Sequence, residues 1–138
     1  MMAKTPKIGV AGILVSRGRV LLGRRAKDPG RGLWAFPGGH LNFGERLRVG
    51  VSREFREETG LTVTATKPIY VAELVSESHH YVLIDFLVKD AVGELQPSSD
   101  IDALRWVCEA EWDVLPLAEG MKECLKNPDV RRTLGWDS

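Results

Sequence analysis

The strongest constraint on this chain is a helical pattern over residues 46–59 that mixes glutamates with its apolar positions. On a wheel of about 100° per residue, the stripe between 0° and about 80° contains the large apolar side chains, Leu47, Val51 and Phe55. Glu58 falls at about 20° and Glu54 at about 340°, within the face that should pack on the core, and Glu57 lies beside it at about 280°. Gly60 is typical of a residue that ends a helix in the left-handed conformation. This helix therefore brings negative charge to its buried side.

Carboxylates on a buried face need a partner, because burying one without compensation costs several kcal/mol. An ion-pair network is one solution, and Arg53 stands four residues before Glu57, a spacing at which side chains meet on a helix. One arginine, however, does not balance three glutamates. A hard divalent cation such as Mg²⁺, which binds carboxylate, carbonyl and phosphate oxygens, is the other solution. The helix alone therefore suggests a metal site with oxygen ligands.

Strand patterns lie on both sides of this helix in the sequence. Apolar runs rich in β-branched residues predict strands at 8–15, 20–22, 61–66, 69–75, 81–88 and 105–107. Short helical segments are predicted at 109–115 and 118–126. Before the acidic helix, Pro37-Gly38-Gly39 allows the main chain to approach a bound group closely. Strands interleaved with helices predict a mixed sheet covered on its faces.

Composition limits the classes of function. The 138 residues suffice for one domain, 43% of them are hydrophobic, and 19 Lys plus Arg balance 19 Asp plus Glu. No excess positive charge is present to hold a nucleic-acid polymer or an anionic membrane, although a phosphate-bearing small molecule needs only a local site. Cys108 and Cys124 have no histidine between them and indicate reduced thiols. Since neither a secretory signal nor a span of about 18 apolar residues is evident, a cytoplasmic location is expected.

The region from Gly39 to Leu61 resembles the Nudix box. Its specified positions are Gly39, then after five residues Glu45, and after seven more the run Arg53-Glu54-Phe55-Arg56-Glu57-Glu58-Thr59-Gly60-Leu61. All are matched, and the one departure is the aromatic Phe55, where aliphatic residues are commoner. The early strand, the approach from Gly32 to Gly38 and Arg105-Trp106-Val107 extend the resemblance over most of the chain. So many residues at fixed spacing form a specific signal.

The resemblance implies the Nudix fold, an α/β/α sandwich around a mixed β-sheet, as a single domain over residues 1–138 with the box at 39–61. It also implies metal-dependent hydrolysis of a nucleoside diphosphate linked to another moiety. Within the family, Pro37 to Glu45 is most similar to the nucleoside triphosphate diphosphatases. We therefore expect a small-molecule nucleotide substrate, water attack on phosphorus, and release of a nucleoside monophosphate and pyrophosphate. A homodimer is expected only by analogy with relatives.

Site residues carry over from the box by position. Four positions match the family's ligands for Mg²⁺ or Mn²⁺, namely Glu54, Glu57, Glu58 and the main-chain carbonyl of Gly38. Glu54 is either a ligand or the base that takes a proton from water, because relatives divide these roles differently. Arg53 matches the arginine that orients the glutamates by pairing with them. Glu45 is expected to position this group or to fix the loop before the helix.

Further candidates lie outside the glutamate cluster. His40, Trp34 and Phe36 are candidates for binding substrate, although a loop histidine and a core phenylalanine are common without such a role. Asp100 is a candidate for the additional acid that some relatives place on a late loop, or else belongs to a solvated turn. Asp85 interrupts an apolar strand, which predicts either a pocket residue or an exposed edge strand.

Several alternatives to a nucleoside triphosphatase remain. Subfamilies that hydrolyse ADP-ribose or dinucleoside polyphosphates often carry a proline or a tyrosine beyond the box, and residues 76–79 contain neither. This absence disfavours those two substrates, which stay open as alternatives together with a nucleotide sugar. The balanced net charge disfavours RNA ends as substrates. A non-catalytic nucleotide-sensing module is the alternative from another class. Such a module would typically have a degenerate box, so the intact glutamates favour an enzyme.

Overall fold

The computed structural model describes residues 4–136, which form seven strands and three α-helices. The strands are β1 (Lys7–Ser16), β2 (Arg19–Arg25), β3 (Trp34–Ala35), β4 (Gly38–His40), β5 (Thr62–Val75), β6 (His80–Val92) and β7 (Ile101–Cys108). The helices are α1 (Leu47–Thr59), α2 (Met121–Lys126) and α3 (Pro128–Leu134), and a 3₁₀ turn spans Trp112–Val114. None of the helices within residues 4–136 is long and apolar enough to cross a bilayer.

The strands form one mixed sheet. Its main path runs β3-β2-β1-β6-β5, with β4 paired to β1 and β7 paired to β2. The pairing of β1 with β6 is parallel, whereas the other strand pairs are antiparallel. One edge of β1 pairs with β4 at residues 9–11 and with β2 at residues 15–16. The sheet therefore divides along this edge of β1.

Helices cover both faces of the sheet. On one face, α1 packs Val51 and Phe55 into a cluster with alternate residues of β1, including Val10 and Leu14. On the other face, α2 and α3 bury apolar side chains in a second cluster, which includes Ile13 of β1. Neighbouring residues of β1 thus point to opposite cores, as the period of two in a strand requires. The predicted α/β/α sandwich is confirmed.

The aromatic departure in the box has a steric reason. Phe55 is completely buried, and a Cβ atom built on Gly12 of β1 would lie 2.6 Å from its ring. A glycine on the strand therefore provides the space into which the ring packs. The large side chain of Phe55 is thus accommodated by the absence of a side chain at Gly12, a position far away in the sequence.

Several predicted boundaries need correction. The predicted strands 61–66 and 69–75 are one strand, β5, whose pairing with β6 shifts register around Pro68. Because β5 is an edge strand and bulges there, proline does not end it. Sequence analysis also missed α3, which Asn127 caps by accepting hydrogen bonds from the N–H groups of Asp129 and Val130. Asn127 as the N-cap and Pro128 at the first helical position are the sequence signal for this helix.

Two aromatic residues provide a matched test of the core. We expect Phe55→Ala to lower the free energy of unfolding by about 3–5 kcal/mol, because it leaves a cavity between α1 and β1. Phe43 is fully exposed, so Phe43→Ala should change it by less than about 0.5 kcal/mol. Urea unfolding of both variants measures the difference. Similar values for the two would contradict the packing described for α1.

Candidate functional site

The helix α1 places its glutamates in two different environments. The side chain of Glu54 is 14% exposed and that of Glu57 is 58% exposed, while Glu58 is half-buried. The helical wheel therefore predicts the position of Glu54 and Glu58 correctly, since both lie beside the buried stripe. Glu57 faces solvent at the edge of the group. The carboxylates of Glu54 and Glu58 lie against the backbone of β4, which precedes the helix.

Arg53 connects most of the charged groups. Its Nε and Nη2 atoms donate to the two carboxylate oxygens of Glu45 at 2.7 and 2.9 Å. Nη1 donates to Glu54 at 2.8 Å and to Glu57 at 3.3 Å, and Nη2 also donates to the carbonyl of His40 at 3.0 Å. These hydrogen bonds, that of Glu45 foremost, raise the pKa of Arg53 further. The predicted Arg53–Glu57 pair is present as part of a larger network.

Glu45 joins this network to the loop before α1. Its carboxylate accepts the bidentate contact from Arg53 and the main-chain N–H of Asn42 at 3.0 Å. Hydrogen bonding to Arg53 is the main reason that the pKa of Glu45 falls to about 2, and the Asn42 N–H contributes next. Glu45 therefore positions Arg53 and the loop together, in the role expected for it.

Glu58 is held by the backbone and not by Arg53. Its Oε1 accepts a hydrogen bond from the Gly38 N–H at 2.9 Å. Burial raises the pKa of Glu58 to about 7, against the lowering effect of the Gly38 N–H. The negative charges of Glu54 and Asp100 act in the same direction as burial, while Arg25 opposes them. The protein therefore leaves the negative charge of Glu58 incompletely compensated.

The glycine pair in β4 permits close contact on both sides. A Cβ atom on Gly38 would lie 2.1 Å from the carbonyl oxygen of Val10. A Cβ atom on Gly39 would lie 2.2 Å from a carboxylate oxygen of Glu54. No larger residue fits at either position without displacing β1 or the glutamate. Gly38 thus allows β4 to lie close to β1, and Gly39 allows the carboxylate of Glu54 to lie against β4.

A cavity of about 630 Å³ opens beside this strand. Gly38, Gly39 and His40 form part of its wall, and most of the remaining lining is apolar. Arg25, whose positive charge acts on Glu58, also lines it. The size and lining are typical of pockets for small organic ligands. The cavity therefore extends from the backbone of β4 into the apolar interior, and none of the described residues that line it is a glutamate of α1.

Some of the other predicted site residues line the cavity, and others lie away from it. His40 and Phe36 line the cavity, with His40 exposed and Phe36 buried. Trp34 is 7% exposed and belongs to the core on the α2 side, with the Arg24 guanidinium 5.6 Å from its ring centroid. That placement does not support stacking of Trp34 on a ligand. Asp100 is exposed, with its carboxylate 3.0 Å from Lys27 Nζ.

Asp85 lies in the cavity. It is on β6, which pairs with β1 and β5 and is therefore not an edge strand. Of the two predictions made for this polar interruption, the pocket is the correct one. The polarity change in an apolar strand was the available signal, but a sequence does not show which strands occupy the centre of a sheet.

The glutamates do not form a complete coordination sphere by themselves. Within residues 4–136, no three side chains of His, Cys, Asp or Glu converge closely enough to hold one ion. Arg53 binds Glu54 and Glu57, and Glu57 is turned toward solvent. Oxygen donors from the main chain, water or a bound phosphate are therefore needed to complete a site, which is how Mg²⁺ is usually held.

Comparisons with known proteins agree with this architecture. A sequence model of the NUDIX domain matches residues 3–127. The chain is 33% identical over 97 residues to the ADP-ribose pyrophosphatase of Methanocaldococcus jannaschii, covering 69% of the chain and 57% of that protein. It is 40% identical over 83 residues to the RNA pyrophosphohydrolase of Novosphingobium aromaticivorans, covering 60% of the chain and 49% of that protein. It thus spans about half the length of both relatives.

A solved structure extends the likeness over nearly the whole chain. The solution structure of the E. coli ORF135 protein superimposes with a TM-score of 0.80 and 29% identity. The match covers 93% of this chain and 91% of that protein. The arrangement of sheet and helices described above is therefore shared with a chain of similar extent.

The Glu45–Arg53 contact predicts a pH-dependent stability. The pKa of Glu45 lies near 2 in the folded chain, against 4.5 ordinarily, so its contribution is complete above pH 4.5 and is lost as the pH falls toward 2. Glu45→Gln should therefore lower the melting temperature near neutrality, by a margin that shrinks through this interval. Glu73→Gln, on the exposed side of β5, is the control. A margin for Glu45→Gln that is constant over this pH range would contradict the assignment.

Proposed function

The chain belongs to the Nudix hydrolase family, and from that premise we propose that it is a metal-dependent pyrophosphohydrolase acting on a nucleoside triphosphate. Water attacks a phosphorus of the phosphate chain, and the products are a nucleoside monophosphate and pyrophosphate. The observation that carries this proposal is the position of Glu54 and Glu58. Both lie against the glycine backbone of β4, where a large apolar cavity opens.

The donor chemistry of this group fits a divalent cation. Glu58 is a half-buried carboxylate that accepts a hydrogen bond from the Gly38 N–H, and burial raises its pKa to about 7. Glu54 lies beside it, and hard cations prefer carboxylate and carbonyl oxygens. Glu54, Glu57, Glu58 and the Gly38 carbonyl are the residues that would hold Mg²⁺ or Mn²⁺. When bound, the cation supplies the positive charge that a polyanionic substrate and its leaving group require.

The protein groups have separate roles in this proposal. Arg53 positions Glu54 and Glu57 through its hydrogen bonds, and Glu45 holds Arg53 in place. Glu54 either ligates the cation or accepts a proton from the attacking water, and its place beside Gly39 allows both. The apolar cavity excludes water from the nucleoside and leaves the phosphates at the carboxylate end. No covalent intermediate with the protein is needed.

Relatives do not determine the substrate. Those compared above are named for ADP-ribose and for RNA, so similarity is compatible with different groups attached to the nucleotide. An ADP-ribose or nucleotide-sugar pyrophosphatase is therefore the second candidate. A sensing module that binds a nucleotide without hydrolysis is the third. The three differ in products, which makes them separable by experiment.

Glu58→Gln tests the metal site and the reaction together. The variant keeps the size and the Gly38 contact of the side chain but removes its charge. We expect kcat with Mg²⁺ and nucleoside triphosphates to fall at least about 100-fold, and Mn²⁺ binding measured by electron paramagnetic resonance to weaken. Glu73→Gln should change neither, since Glu73 is exposed on β5.

The substrate panel should include nucleoside triphosphates, ADP-ribose, nucleotide sugars and dinucleoside polyphosphates, with products separated by chromatography. Pyrophosphate and monophosphate from triphosphates, lost in Glu58→Gln, are the predicted result. Turnover of ADP-ribose or a nucleotide sugar alone would favour the second candidate. Nucleotide binding without turnover of any compound would favour the sensing module, and full activity of Glu58→Gln would contradict the proposed site.

A further inference from the structure

Asp85 is a buried acid in the middle of an otherwise apolar wall. The residue is 6% exposed, lines the cavity, and lies on the central strand β6. It faces α2, where Cys124 and Met121 form part of the same lining. The proposed chemistry at the carboxylates of α1 does not use it. Such a position is costly for an acid, because an apolar environment solvates a carboxylate poorly.

The hydrogen-bonding capacity of Asp85 is largely unused within the protein. Among residues 4–136, its side chain accepts one hydrogen bond, from Cys124 Sγ at 3.6 Å. A thiol is a weak donor, whereas an ionised carboxylate offers about four acceptor positions. Burial raises the pKa of Asp85 to about 7, and the Cys124 contact opposes this only in part. The group thus retains acceptor capacity directed into the cavity.

The sheet register gives the distance between Asp85 and the part of β4 that contacts the glutamates of α1. Ala11 on β1 pairs with Asp85 on one side and with Gly38 on the other. Two strand spacings of about 4.8 Å place Asp85 roughly 10 Å from the Gly38 backbone, which binds Glu58. This span is comparable to the length of a nucleoside. Gly38 and Asp85 line the same cavity, so a nucleotide whose phosphates lie beside Gly38 would have its base in the cavity that Asp85 faces.

We propose that Asp85 is a specificity-determining residue that reads the hydrogen-bonding edge of the substrate base, an inference that rests on the proposed function. When ionised, the carboxylate only accepts hydrogen bonds, so this form matches an edge with two adjacent N–H donors, as the ring N–H and exocyclic amine of guanine provide. A uracil edge places carbonyl oxygens against the carboxylate. Adenine and cytosine place an acceptor ring nitrogen beside their amine.

Asp85→Asn distinguishes these base edges with little change in shape. The carboxamide donates as well as accepts, so it pairs with adenine or cytosine and places a donor against one of the guanine donors. At about pH 8.5, where the wild-type acid is ionised, kcat/KM for GTP should fall about 10-fold or more in the variant. The values for ATP and CTP should be unchanged or higher. Asp90→Asn, the same change at an exposed position of β6, should leave the order of bases unaltered.

Binding measurements separate this inference from the proposed activity. Calorimetry with non-hydrolysable triphosphate analogues reports base preference even if no substrate is turned over. A preference for guanine over uracil in the wild type that Asp85→Asn removes would support the inference, whether or not hydrolysis occurs. Hydrolysis that shows no base preference in the wild type would overturn it, even though the proposed activity would stand.

The folding of the variant serves as a further control. Removing a buried charge should keep or raise the melting temperature if Asp85 serves ligand binding. If Asp85→Asn lowers kcat/KM for all four bases by the same factor, Asp85 has a structural role and the inference is wrong. If the variant does not fold, a wild type that shows no preference for guanine in calorimetry still overturns the inference.

Discussion

The site depends on the guanidinium of Arg53. It binds both oxygens of Glu45, one oxygen of Glu54, the carboxylate of Glu57 and the carbonyl of His40. One side chain therefore joins the loop before α1, the exposed side of α1 and the end of β4. A lysine has neither the planar fork nor the number of donors for this set of contacts. Without Arg53, the carboxylates of Glu45, Glu54 and Glu57 would lose the positive charge that they share.

Glu58, which Arg53 does not bind, is equally important for the proposed function. Among the described residues, no arginine forms an ion pair with Glu58, and the Gly38 N–H holds this half-buried carboxylate. The sheet divides along β1, which pairs with both β2 and β4, and Gly38 of β4, whose N–H binds Glu58, lines the cavity. The two glycines of β4 therefore serve both the fold and the site, because they pair with β1 and also contact Glu58 and Glu54. Asp85 lies farther along the same cavity, on the neighbouring strand of β1.

Much of this arrangement was predictable from local patterns. The periodicity of residues 46–59 and the placement of Gly60 predicted α1 almost to its ends, and Gly60 has a φ of 82°. The proximity of Glu54 and Glu58 to the apolar face followed from helix geometry alone. The spacing of Arg53 and Glu57 predicted their contact, which the structure contains. These features depend on residues close in sequence.

Features that depend on distant residues were not accessible in the same way. Sequence alone did not show that β5 continues through Pro68, because that depends on its edge position in the sheet. Nor did it show that Trp34 and Phe36 pack in the same core cluster and that Phe36 also lines the cavity. The pocket position of Asp85 depends on β6 lying between β1 and β5, which only the strand order determines.

A crystal structure of the protein with Mn²⁺ and a non-hydrolysable guanosine triphosphate analogue would test the central claim most directly. The account predicts an anomalous Mn²⁺ signal bounded by Glu54, Glu58 and the Gly38 carbonyl, with the phosphates on the ion and the base in the cavity. A nucleotide bound outside the cavity, or an ion found away from Glu58, would contradict it.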